Sequence, residues 1–257
     1  MNADRKVGLL IPMFRSASTI GSVLHQIAGT VKSQNIAVLI LDNNSDDESC
    51  ERAIGAIKSL QLSEFTEIQR HKRNLGYGGS IIWGLKWARD RSLQRIAIIH
   101  SDDQADWQVV LDGLLSEDEI SNVILLASRF SKDASVESYD MRRRLGNQLF
   151  LLLTPLLTGV RLDDPGTGIC SLPVSKIPYD VLDKLDSGYH FHPQLNLILA
   201  SDANSEVKYI PLSWRDASRD NHFPLIRYGL MLVTMLLRIS FLTRIRRWDI
   251  KRAVVHV

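Results

Sequence analysis

The sequence predicts an α/β protein: a mostly parallel sheet flanked by helices, with an amphipathic helical appendage at the C-terminal end. Three observations carry that expectation. Short apolar runs bounded by turn residues alternate with stretches of helical period through the first half of the chain. The links between them are short, as right-handed crossovers between parallel strands allow. From about residue 223 the character changes to a strongly apolar segment studded with arginine.

The elements follow in order. Residues 7–12 are an apolar run ending in Pro12, the pattern of a strand buried on both faces. Ser16 or Ser18 is placed to cap a helix with Ile20, Val23, Leu24, Ile27 and Val31 on one face. Residues 36–41 form a second buried strand, and the helix after it turns Ala53, Ile54, Ile57 and Leu60 inward. Residues 66–70 are a weaker strand, 74–79 a glycine-rich turn and 80–91 a helix. A strand over 96–100, a helix over 106–115 and a strand over 123–128 complete the alternation. The leucine-dense segment 141–162 predicts a helix interrupted near Pro155. A turn cluster at 163–168 leads into a short strand, 194–200 is an apolar helix and 207–212 is strand-like.

Composition bounds the function. With 257 residues, 45% of them hydrophobic and 23% charged, the chain suits one large domain or one plus an appendage, which excludes disorder and a coiled coil. We expect a domain over 1–221 and a basic tail over 222–257. The net charge of +2 gives no global pull toward nucleic acid. That balance hides an asymmetry. Residues 222–252 hold Arg227, Arg238, Arg244, Arg246, Arg247, Lys251 and Arg252 against Asp249 alone, about +6, leaving about −4 elsewhere. Arg227 and Arg238 interrupt the apolar stretch, which is then too short for the roughly 20 residues of a spanning helix. It reads as one or two interfacial helices on an anionic membrane, against a buried helix closing the domain or a re-entrant hairpin. Two cysteines make neither a disulfide framework nor a four-cysteine zinc site. The apolar run at the start is too short for a signal peptide, so the expected place is cytoplasmic, peripheral to the inner face of the cell membrane.

Ligands of such sheets sit beyond the carboxyl ends of the strands, and here those ends carry Pro12, Asp42, Asp102 and Arg129. Asp42-Asn43-Asn44-Ser45 reads either as a helix cap or as a contact to a nucleobase or ribose. Asn74-Leu75-Gly76-Tyr77-Gly78-Gly79 fails the dinucleotide fingerprint, because Ile81 stands where its third glycine belongs. It remains a turn able to approach a phosphate or sugar, or simply a tight turn. In His100-Ser101-Asp102-Asp103-Gln104, carboxylates at a buried strand end are costly unless hydrated, paired or bound to a cation. Mg²⁺ or Mn²⁺ bridging a diphosphate would suit them, the competing reading being that Asp103 and Asp106 only open the next helix. Asp164-Pro165-Gly166 is a turn signal, and His190 and His192 read as loop histidines. No serine-hydrolase elbow occurs.

In chain order, Leu10-Ile11-Pro12-Met13-Phe14, Asp42-Asn43-Asn44-Ser45-Asp46, Asn74-any-Gly76-any-Gly78, Ser101-Asp102-Asp103-Gln104, Ser128-Arg129, residues 164–168 and Trp214-Arg215 resemble family-2 inverting glycosyltransferases. The likeness is greatest to the branch of dolichyl- and polyprenyl-phosphate sugar synthases and spans roughly residues 7 to 220. It implies a GT-A (Rossmann-like) fold, a nucleoside-diphosphate sugar donor, a divalent cation (Mg²⁺ or Mn²⁺) and a role in cell-envelope polysaccharide or glycolipid synthesis. It implies donor binding by Pro12, Phe14, Asp42, Asn44, Asn74, Gly76, Gly78, Ser101, Asp102 and Gln104, and metal binding by Asp102 and His100. Asp164, Asp102 and Arg129 would be catalytic. Arg129, Arg144, Asp164, His192, Trp214 and Arg215 would face the acceptor, a polyprenyl phosphate or a glycan. A sugar hydroxyl needs a general base, for which Asp164 is the candidate; a lipid phosphate needs cations, which Arg129 with Arg142, Arg143 and Arg144 would supply. Two departures stand out: His100 replaces the first aspartate of the metal motif, and Arg15 an asparagine. The first keeps a second reading open, a nucleotide-binding pseudoenzyme or regulatory subunit at the membrane. A homo-oligomer is a further expectation.

Overall fold

The computed structural model describes residues 5–116, 122–137, 141–215 and 225–257. Its chain order is β1 (Val7–Met13), α1 (Ile20–Ser33), β2 (Ala37–Asp42), α2 (Ser49–Ser59), β3 (Thr66–Arg70), α3 (Gly76–Asp90), β4 (Arg95–Ile98) and α4 (Trp107–Leu114). Then follow β5 (Val123–Ser128), β6 (Val136–Glu137), α5 (Met141–Thr158), β7 (Cys170–Pro173), α6 (Phe191–Ser201), β8 (Glu206–Pro211), β9 (Trp214–Arg215), α7 (Leu225–Arg244) and α8 (Ile250–Val255).

Seven strands make one sheet in the order β3-β2-β1-β4-β7-β5-β8. Every pairing is parallel except those of β7, which runs antiparallel between β4 and β5. Strands β2 and β5 are buried at every residue, because helices cover both faces; their unbroken apolar runs follow from that. One face packs α1, α2 and α4 around Leu9, Ile11, Ile40 and Trp107. On the other, Leu10, Leu39, Ile81, Leu126 and Leu195 form the larger cluster.

Five sequence expectations change, the first being that His192, read as a loop histidine, lies inside α6 with His190 as its N-cap. Thr19, not Ser16 or Ser18, occupies the α1 N-cap, and it makes no side-chain cap bond. Ile54 is 40% exposed, and α2 buries only Ala53 and Ile57 of its apolar residues. Helix α3 starts within the glycine turn rather than after it. Helix α5 runs through Pro155 without a break; the Thr154 and Thr158 hydroxyls donate to the carbonyls of Phe150 and Thr154 around it.

Helices α7 and α8 join the larger core through Leu232, Met235, Leu236, Ile239, Ala253 and Val254. The other side of α7 exposes the apolar Leu230, Met231, Leu237 and Phe241 among Arg227, Thr234 and Arg238, and Ile245 is exposed just past the helix end. No helix among the described residues is long and apolar enough to cross a membrane. Helix α3 approaches β1 closely. A β-carbon on Gly84 would stand 2.3–2.9 Å from the side chain of Leu10, itself wholly buried. Gly84→Ala is therefore expected to destabilise the fold by about 1–3 kcal/mol through overpacking, seen as a lower denaturant midpoint with an unchanged slope.

Candidate active site

Strand order reverses between β1 and β4, and open α/β sheets bind ligands at such a switch point. The loops after these strands are tied together there. Ser101 Oγ lies 2.8 Å from Ser16 Oγ and donates to the Pro12 carbonyl at 3.0 Å. Ser101, an expected donor contact, is thus also a brace between two strand ends. Phe14, 43% exposed, stands beside this brace.

At the end of β2, Asp42 is fully buried. One oxygen accepts from the amide and hydroxyl of Ser45 at 3.0 and 2.5 Å, and the other faces Arg70 Nε at 3.2 Å. Asn44 is exposed with φ 63°, a left-handed conformation that asparagine tolerates. Asn43 joins this turn to the next: its amide nitrogen donates to Asn74 Oδ1 and its oxygen accepts from the Leu75 amide. Gly76 has φ +78°, and a β-carbon there would meet the Ser187 carbonyl at 2.3 Å; one on Gly78 would meet that of Asp186 at 2.5 Å. Protein backbone occupies the space beside both glycines.

The end of β4 brings the chemistry together. His100 Nδ1 is 3.8 Å from Asp102 Oδ2, and His100 Nε2 is 3.0 Å from the Tyr77 hydroxyl. Burial pushes the imidazole below its ordinary value, against the pull of Asp102. The Asp102 carboxyl is pushed up, again chiefly by burial, with His100 opposing. Asp103 is turned away, accepting from Gln26 at 2.6 Å. Gln104 is buried, its carbonyl accepting from the Arg215 amide. Trp214 is half-buried, its ring 6.4 Å from that of His100, and Arg215 is exposed. His192 is buried beside Tyr77, with both ring nitrogens unpartnered and its basicity lowered to about 3 by burial and by His100.

At the end of β5, Arg129 grips Asp164 with two-pronged geometry: Nε donates to one carboxylate oxygen and Nη2 to the other, both at 2.8 Å, while the Arg129 amide adds a third bond. Asp164 is 1% exposed. The turn that carries it is held by Asn196, whose amide donates to the carbonyls of Pro165 and Thr167. Tyr228 of α7 borders this pair; its hydroxyl is pushed up to about 12, chiefly by burial, with the Arg129 charge opposing and Asp164 adding. Arg144 is exposed on α5, and the side chains of Arg142 and Arg143 lie outside the described residues.

Twelve of the expected residues lie in three groups near the strand ends: Pro12, Phe14, Asp42, Asn44, Asn74 and Ser101; His100, Asp102, His192 and Trp214; and Arg129 with Asp164. Arg144 and Arg215 are exposed outside these groups, Gln104 is buried, and backbone covers Gly76 and Gly78. Three participants escaped the sequence reading. Arg70 ends the weakest strand, Tyr77 hides between two glycines, and Tyr228 lies in an apolar segment. Only Tyr77 carried a signal, its place inside a motif already singled out.

Residues 9–184 match the model of the family described as "Glycosyl transferase family 2". The chain also resembles a crystal structure of glucosyl-3-phosphoglycerate synthase from Mycobacterium tuberculosis, with a TM-score of 0.64 and 17% identity over 94% of this chain and 81% of that one. A structure of the same enzyme with Mn²⁺, uridine diphosphate and phosphoglyceric acid gives 0.61 and 16%, over 94% and 79%. At such identities the likeness shows the fold: a GT-A, Rossmann-like sheet flanked by helices.

Proposed function

Since the chain belongs to glycosyl transferase family 2, we propose that it is an inverting enzyme that moves a sugar from a nucleoside-diphosphate sugar to a polyprenyl-type lipid phosphate at an anionic membrane surface, in cell-envelope glycolipid or polysaccharide synthesis. The observation that carries the acceptor class is the Arg129–Asp164 pair. A sugar hydroxyl must lose its proton, and a base for that is worth about 10²–10⁴-fold. Asp164, the candidate base, has both oxygens taken by Arg129. A phosphate acceptor is already anionic and needs a cation instead, and a guanidinium held in fixed orientation suits phosphate. In this reading Asp164 positions Arg129, and Arg129 binds the acceptor.

Exposed apolar surface supports a lipid. On α5, Leu145, Leu149, Leu152 and Leu156 are 50–66% exposed at helical spacing. Helix α7 packs along α5, and Arg244 donates to the Leu156 carbonyl at 2.5 Å, joining their C-terminal ends. Two neighbouring leucine-rich stripes, edged by Arg144, Arg227, Arg244, Arg246 and Arg247, fit an anionic bilayer. Tyr228, at the start of α7, lies near enough to Arg129 and Asp164 for both charges to act on it, which supports a lipid along the stripe with its phosphate at that pair.

The step balances without a proton. A phosphate oxygen attacks the anomeric carbon as the bond from that carbon to the diphosphate breaks, and the bonding pair leaves with the nucleoside diphosphate. At β4 an imidazole and a carboxylate converge within 3.8 Å. No cluster of three or more such side chains occurs among the described residues, so the pair suits a divalent cation whose other positions the diphosphate and water would fill. When bound by Asp102 and His100, such an ion supplies charge neutralisation at the leaving diphosphate. The family resemblance supports Asp42, Asn44 and Phe14 as the nucleoside side of the site, and Arg70 joins them by covering Asp42.

Asp102→Asn is expected to lower nucleoside-diphosphate release by about 10²–10³-fold, read with Mg²⁺ or Mn²⁺ over a panel of donors and a polyprenyl phosphate. Unchanged release would remove Asp102 from the mechanism. The imidazole at position 100 is the one feature behind the second reading, a nucleotide-binding pseudoenzyme; nucleotide affinity without turnover on any donor would establish it.

A further inference from the structure

We propose that His100 makes this cation site select Mn²⁺ and later first-row divalent ions over Mg²⁺, with Tyr77 and Gly168 positioning its imidazole. The proposal rests on the reading that a divalent cation serves the donor here. His100 has one ring nitrogen against the Tyr77 hydroxyl at 3.0 Å and the other toward Asp102, 3.8 Å from its Oδ2. In the tautomer that carries its hydrogen on Nε2, that nitrogen donates to the Tyr77 hydroxyl and the Nδ1 lone pair faces the carboxylate. Two cis donors at metal distances of roughly 2.0–2.2 Å lie about 2.8–3.1 Å apart, so a side-chain rotation that closes the pair by under about 1 Å brings both onto one ion. A hydrogen bond on the non-coordinating nitrogen is the usual device for fixing tautomer and ring orientation.

Space for that contact depends on one glycine. A β-carbon on Gly168 would lie 2.4 Å from the Tyr77 hydroxyl and 3.1 Å from both His100 Nε2 and His192 Cδ2. The rings of Trp107 and Trp214 stand 6.2 and 6.4 Å from His100. The imidazole is therefore held in place rather than trailing into solvent. Mg²⁺ prefers oxygen donors, whereas imidazole binds increasingly well from Mn²⁺ to Co²⁺ and beyond. Exchanging a carboxylate for a neutral nitrogen also removes one negative charge, which weakens the hardest ion most.

The test uses the metal-free full chain with inorganic pyrophosphate, so that the unknown base does not matter. Calorimetry should rank Co²⁺ above Mn²⁺ above Mg²⁺, with Mg²⁺ weaker than Mn²⁺ by roughly tenfold or more. Electron spin-echo modulation of bound Mn²⁺ should show a directly coordinated nitrogen. His100→Asp should abolish the nitrogen signal and close the gap to Mg²⁺; His100→Asn repeats the first outcome should the aspartate variant not fold. Tyr77→Phe and Gly168→Ala should keep the nitrogen donor but weaken Mn²⁺ binding by about 10–100-fold. Wild-type Mn²⁺ without nitrogen coupling, or Mg²⁺ bound as tightly as Mn²⁺, overturns the proposal. Turnover with Mg²⁺ and no coupled nitrogen leaves the transferase reading standing and this one fallen. Coupled nitrogen without turnover on any donor does the reverse.

Discussion

Replacing Arg129 with alanine is expected to cost about 3–5 kcal/mol of stability and to abolish transfer, because it strands a buried carboxylate. Asp164 is 1% exposed, and the Arg129 side chain, at 19%, is itself largely withdrawn from water. Three donated bonds converge from one residue onto that carboxylate; without the side chain only the backbone amide remains of the three. Arg129→Lys keeps the charge but not the two-pronged geometry, so an intermediate loss is expected. The pair can be removed whole. Arg129→Met with Asp164→Leu should recover most of the stability, since a buried ion pair is often replaced by apolar residues without penalty. It should not recover transfer. Urea midpoints beside nucleoside-diphosphate release separate the two effects: recovery of both would show that Arg129 serves only the fold.

The second large effect concerns the membrane. Leu152 and Leu237 are 66% and 53% exposed, so Leu152→Glu with Leu237→Glu should change stability by only about 0.5 kcal/mol per site. Burying each leucine in lipid is worth about 1.5 kcal/mol or more, and the pair therefore about a hundredfold in vesicle affinity. Sedimentation with phosphatidylglycerol vesicles should show that loss, and added salt should weaken wild-type binding through the arginines. A double variant that binds as well as the wild type would exclude this face as the docking surface.

How far the sequence was legible follows from burial. Strands β1, β2, β4 and β5 were readable because both faces are covered and the apolar runs are continuous. The reversed direction of β7 was not, since Cys170–Pro173 is four residues of no distinctive pattern. Ile54 misled because helical period marks a stripe wider than the one α2 buries. In the site, the motifs at Asp42, His100 and Arg129 fell at strand ends and could be placed on one rim. The partners of those residues could not. Arg70 on Asp42 and Tyr77 on His100 are contacts across 28 and 23 positions of chain, fixed by packing alone. The arginine-broken segment near the C-terminus invited an interfacial and a buried reading, besides a re-entrant hairpin. Its period allowed both, and α7 gives its inner side to the core while leaving the outer side bare.

Strand β7 holds one more consequence. Cys170 lies opposite Ile98 on β4 and opposite Leu126 on β5. Two residues before it stands Gly168, against His100 and Tyr77; six before it, Asp164 holds Arg129. A parallel strand would enter the sheet at the far end, whereas this one enters at the rim and brings its leading turn there directly. One short strand thus sets the alignment of the two halves of the site together. A slip of a single residue along β7 would shift Gly168 relative to His100 and Asp164 relative to Arg129 in the same stroke, so the two halves cannot drift out of step independently.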